Sequence, residues 1–127
     1  MPSIKRLEGD RAEEYVIEYL TSRGFKLLER NYSVHNVGEL DSVFEKDGDI
    51  YVVEVKLRRS FDDFFPVDRK KLMKIRKTAN IFVLSKGLYD RNVIYLAGLV
   101  THNGNGLIQN VEFVPLECNI IALNLHY

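Results

Sequence analysis

The sequence predicts a layered domain of mixed strands and helices, of the α/β or α+β kind. Apolar residues recur at three-to-four spacing in two separated stretches, 7–23 and about 68–84. Runs of strand character lie between and after them, and two of these runs flank the hairpin dipeptide Asp47-Gly48. The resulting order is helix, three strands, helix, two strands, which is that of a layer protein. At 127 residues the chain is one domain, 1–127, with a chemistry-bearing core at about 8–100 and a C-terminal hairpin and tail at 101–127.

The first helix is predicted over residues 7–23. Leu7, Ala12, Val16, Tyr19 and Leu20 form its apolar arc, and Gly24 suits the position just past its end. Glu13 lies beside Val16 and Leu20 on the rim of that arc. A strand with a ragged pattern follows at Phe25 to Val34. Glu39 to Glu45 and Ile50 to Leu57 are the next two strands, joined through Asp47-Gly48 in a type I′ turn. Residues 58–65 read as a loop holding Phe61, Phe64 and Phe65, favoured as core or dimer anchors. Pro66 or Asp68 opens the second helix, whose apolar positions are Leu72, Ile75, Ala79, Phe82 and Val83. Asn92 to Val100 is a buried type of strand, and Leu107 to Val114 is its hairpin partner.

Composition excludes several functions. The single cysteine, Cys118, closes no disulfide within the chain, and no CxxC pair is present for zinc. His35, His102 and His126 show no ligand spacing. The longest apolar run, Val93 to Val100, is far short of the roughly 20 residues a membrane helix needs. The N-terminus lacks the apolar stretch of a signal peptide. The expectation is a cytoplasmic protein in a reducing compartment, without a membrane partner.

The hairpin makes a geometric statement. With Asp47 and Gly48 as the loop residues, opposed residues carry numbers that add to 95, so Asp41 faces Glu54 and Glu39 faces Lys56. All four then project from one side with Val43 and Val52, while Leu40, Phe44, Val53, Val55 and Leu57 occupy the other. Two carboxylates opposed across a sheet repel, so something compensates. One reading is a hard divalent cation held by oxygen ligands. The other is a solvated face carrying a Glu39–Lys56 cross-strand pair.

The motif bears on that choice. Gly38-Glu39-Leu40-Asp41, then twelve residues, then Glu54-Val55-Lys56, resembles the PD-(D/E)xK nuclease pattern. Around it stand Gly9-x-x-Ala12-Glu13, Tyr19-Leu20, Gly24-Phe25, Glu29-Arg30-Asn31-Tyr32, Arg58, Lys71-Leu72-x-Lys74 and Ala79-x-x-Phe82. In this order they resemble the YraN-like family of small bacterial proteins. The resemblance implies an α/β fold with a restriction-endonuclease-like core, a central mixed β-sheet flanked by two main helices. Many members carry an acid in the strand after the second helix, and here that strand has none.

The resemblance also implies a site and its roles. Asp41 and Glu54 would ligate Mg²⁺ or Mn²⁺, with the Val55 carbonyl as a third donor. Lys56 would orient or help deprotonate the attacking water, or stabilise charge on the phosphorane-like state. Glu13 would hold a second ion or a metal-bound water, unless it is a rim residue in a surface salt bridge. Glu39 is an auxiliary acid or simply the partner of Lys56.

Whole-chain charge is zero, from 18 basic and 18 acidic residues, which argues against nonspecific coating of nucleic acid. The sum hides a segregation. Residues 1–55 carry 7 bases and 12 acids, whereas residues 56–77 carry nine bases and three acids. Arg58, Arg59, Lys70, Lys71, Lys74 and Lys77 are therefore the candidate nucleic-acid contacts, against the ordinary reading of a solvated helix face. The expected activity is metal-dependent DNA hydrolysis. The alternatives are a dimeric Holliday-junction resolvase and a non-catalytic nucleic-acid-binding protein on the same fold.

Overall fold

The computed structural model describes residues 4–58, 68–103, 105 and 107–116. Arg59, the three loop phenylalanines, Pro66, Cys118, His126 and the tail lie outside the described residues.

Helix α1 runs over Ile4–Thr21. It ends because Gly24 takes φ +90, a left-handed conformation that suits glycine. The Phe25 N–H then reaches back to the Leu20 carbonyl and the Gly24 N–H to that of Thr21, a Schellman closure. Strands β1 (Lys26–Val34), β2 (Gly38–Lys46) and β3 (Asp49–Arg58) follow. Helix α2 (Arg69–Ser85) is capped by Asp68, whose carboxylate accepts the Lys70 N–H. Strands β4 (Val93–His102) and β5 (Ile108–Pro115) complete the order. The expected sequence of elements is thus present, with ends displaced by a few residues at most.

The five strands form one mixed sheet in the order β1-β2-β3-β4-β5. The β3–β4 ladder is parallel and the other three are antiparallel. A parallel pair cannot be joined by a tight turn, and α2 lies in the connection that makes the crossover. The β2–β3 turn is tight because Asp47 and Gly48 both take positive φ, at 52° and 87°.

A core fills each side of the sheet. Leu72, Ile75, Ala79 and Phe82 of α2 pack with Val43, Val52, Ala97 and Leu99. Ala12, Val16, Ile17 and Leu20 of α1 pack with Phe44, Val53 and Val100. Burying each of the Val, Leu, Ile and Phe side chains stabilises the fold by about 1.5–3 kcal/mol.

Two local departures matter. β1 is irregular between Leu27 and Glu29, and Asn31 takes φ 53. Leu27 and Leu28 alternate onto opposite cores, so both faces of this strand carry apolar residues, which is why its pattern reads as ragged. Leu40, expected on the face of Phe44, packs instead in the α2-side core with Val43. The alternation breaks between them, where β2 leaves the β3 ladder.

Candidate metal centre

The expected β2–β3 register holds from Lys46↔Asp49 to Ser42↔Val53. There the backbone ladder stops, and side chains take over its hydrogen bonds. The Val55 N–H donates to Asp41 Oδ2 at 2.7 Å, and the Asp41 N–H donates to Glu54 Oε2 at 3.1 Å. Each carboxylate therefore bonds the other strand's backbone. The two acids lie close enough for each charge to act on the other, although the paired register stops one step short of them at Ser42↔Val53. Just before the splay, Ser42 Oγ still bonds the Val53 carbonyl at 3.2 Å.

Glu54 is buried at 8% exposure, and it pairs in register with Ala97, which supplies no compensating group. Burial pushes its carboxyl up to about 8, and the Asp41 charge adds to that rise. The Asp41 N–H and the Lys71 ammonium oppose it. Asp41 is raised too, chiefly by burial, against the Val55 N–H and Lys71. Glu13, reaching in from α1, is raised by its own burial and then by Asp41, with Arg30 opposing. Arg30 is held beside it by an ion pair to Glu14 at 2.7 Å.

This donor set suits a hard cation. It offers carboxylate oxygens in a buried place where negative charge lacks full compensation. Among the described residues no three His, Cys, Asp or Glu side chains converge closely enough to hold an ion unaided. An ion here would rest on Asp41 and Glu54 and complete its shell with water, a backbone carbonyl or substrate oxygen.

The other predicted residues divide. Lys56 lies two positions beyond Glu54 on β3 and is exposed. Val55 is placed through its N–H. Glu39 pairs in register with Ser33 of β1, and its expected place opposite Lys56 lies past the end of the β2–β3 ladder. Arg58 corrects the expected basic track. It is 8% exposed, with Nε on Thr101 Oγ1 and a guanidinium nitrogen 2.9 Å from Glu112. Lys70, Lys71, Lys74 and Lys77 are all exposed on α2.

Sequence reasoning missed the part Lys71 plays at the carboxylates. A signal was present: Lys71 immediately precedes the buried Leu72, at the edge of the helix face that meets the sheet. Sequence spacing could not reveal the Glu112 partner of Arg58, 54 positions away.

Comparison with known proteins points one way. The model of the uncharacterised protein family UPF0102 matches residues 12–102. A UPF0102 protein of Dictyoglomus turgidum is 36% identical over 110 residues, covering 84% of this chain and 92% of the relative. A UPF0102 protein of Helicobacter pylori is 33% identical over 85% of this chain and 93% of its own length. One from Fusobacterium nucleatum is 38% identical over 67% and 73% respectively.

Proposed function

The chain belongs to the UPF0102 family, and we propose that it is a divalent-metal-dependent nuclease hydrolysing phosphodiester bonds in DNA. The observation that carries this reading is the Asp41–Glu54 pair. The two carboxylates lie together at the point where β2 and β3 part, Glu54 accepting the Asp41 N–H and Asp41 accepting the Val55 N–H, and burial raises both. A protein keeps such a pair where a cation or a proton offsets its charge.

Asp41 and Glu54 would hold Mg²⁺ or Mn²⁺, whose chemistry there is to polarise the phosphate and lower the pKa of a bound water. The backbone bonds fix both carboxylates, so they need not reorganise as charge develops. Lys56, on the same strand, would position the water or the phosphate oxygen. Glu13, from α1, would accept hydrogen bonds from water on the opposite side.

Calorimetric titration of Mn²⁺ tests the metal. Wild type should bind, and Asp41→Asn should bind at least tenfold more weakly; equal binding removes Asp41 from the site. Cleavage of a labelled DNA tests the chemistry. Lys56→Ala and Glu54→Ala should each lose on the order of 100-fold or more in rate. Cleavage unchanged in both would remove the mechanism.

A further inference from the structure

At the start of β2, reaching to within two residues of Asp41 in the chain, lies an open cleft of about 680 Å³. Ser33, His35, Asn36, Gly38, Glu39 and Lys74 line it, so its walls are the β1–β2 turn and one edge of α2. The size falls within the range of about 300–1,000 Å³ typical of sites for small organic ligands. Polar and apolar surface share the wall about equally, with Val34 and Val37 beside the polar side chains. Asn36 holds the turn in a left-handed conformation, with φ 63.

The turn is tightly seated. A Cβ on Gly38 would stand 2.7 Å from Thr78 Oγ1 and 3.4 Å from the Lys74 carbonyl. Thr78 is fully buried and donates to that same carbonyl. The arc of α2 bearing Thr78 therefore faces the turn. At about 100° per residue, Lys71 and Lys74 fall within about 60° of Thr78 on the same arc, with a rise of about 4.5 Å between them. One lysine bears on the carboxylates, and the next lines the cleft. Glu39 joins the two places, since it lines the cleft and its charge also reaches Asp41.

We propose that this cleft is the subsite for the DNA backbone next to the cleaved phosphate, with Lys74 neutralising the adjoining phosphate. The β1–β2 turn then covers the sugar and base, through His35 and Asn36. Glu39 sets the sign of the other end: it repels phosphate, so the chain lies with its charge toward Lys74. This rests on the nuclease reading and adds to it. It selects one lysine of the basic helix for a defined place and makes the adjacent acid an opposing group.

The test is anisotropy of a short labelled DNA duplex, titrated in chelator so that nothing is cleaved. Salt is varied from about 50 to about 200 mM. Lys74→Gln should weaken binding about three- to tenfold and reduce the salt slope by about 0.9, one phosphate contact. Glu39→Gln should strengthen binding about two- to fivefold, the opposite direction, by removing a like charge. Lys86→Gln, an equal charge loss at the far end of α2, should leave both unchanged. Wild-type affinity and slope in Lys74→Gln, or weaker binding by Glu39→Gln, would overturn the subsite. Absence of binding by wild type would overturn it as well, and the Mn²⁺ titration then decides separately whether the metal reading stands.

Discussion

Glu54→Gln gives a sharp measurement on the metal-free protein. The folded protein raises Glu54 from an ordinary 4.5 to about 8, so between those values folding takes up a proton. Stability is then fully present at low pH and is lost as pH rises through the folded value. Each unit in that window corresponds to about 1.4 kcal/mol, so the ceiling is about 5 kcal/mol. Relaxation and water penetration around a charged Glu54 reduce this, and the expected loss is about 2 kcal/mol. For a domain of this size that is about 8 °C in melting temperature. The substituted amide would keep an oxygen for the Asp41 N–H and carry no charge. The variant should therefore show a much flatter profile and exceed wild type in stability at about pH 8. Urea denaturation in chelator, from about pH 5 to about pH 8.5, reads both curves. A wild-type stability that is flat or rising over this range, or an equal slope in the variant, would refute the argument.

Other outcomes follow from the same structure. At about pH 8 a divalent ion at ten times its dissociation constant should restore about 1.4 kcal/mol to wild type and no more than about 0.4 kcal/mol to Asp41→Asn, read as a melting shift. Lys71→Ala should extend the fall in metal-free stability to higher pH and deepen it, because Lys71 opposes the rise of both carboxyls. Gly38→Ala should destabilise by about 1–3 kcal/mol, since the buried Thr78 cannot yield; Thr78→Ala in the same chain should recover part of that loss in a double-mutant cycle. Arg58→Met should lower stability by about 1–3 kcal/mol through the Thr101 and Glu112 bonds, while leaving the salt slope of DNA binding unchanged.

The legible parts of this protein are those set by neighbours in sequence. Asp47-Gly48 demands one turn geometry, and that turn fixes the β2–β3 register as far as Ser42↔Val53, one step short of Asp41 and Glu54. The apolar arcs of both helices are local periodicities, and they reappear as the two cores. What escaped depends on distant partners. Arg58 reads as one more base in a basic segment, yet β4 and β5 enclose it and supply its partners. Leu40 lies past the end of the β2–β3 ladder, where period-two alternation no longer holds and the acids accept backbone N–H groups. The two acids and Glu13 were readable from the sequence; the charge of Lys71 at the carboxylates was not, because it comes from a helix that the turn does not position.

The parallel β3–β4 ladder has a consequence for how the site is assembled. Every pairing in it, from Ile50↔Val93 to Arg58↔Thr101, joins residues 43 positions apart, whereas the β2–β3 hairpin closes over two. Chain-closure entropy favours the hairpin as the earlier event and leaves β4 docking for later. Asp41 and Glu54 thus meet while still wet, and the loss of their hydration comes when Ala97 is laid beside Glu54. If the folding barrier precedes that docking, pH and divalent ions act on the unfolding rate and leave the refolding rate nearly untouched. Stopped-flow refolding and unfolding at two pH values would separate the two limbs, and an equal response in both would place β4 docking before the barrier.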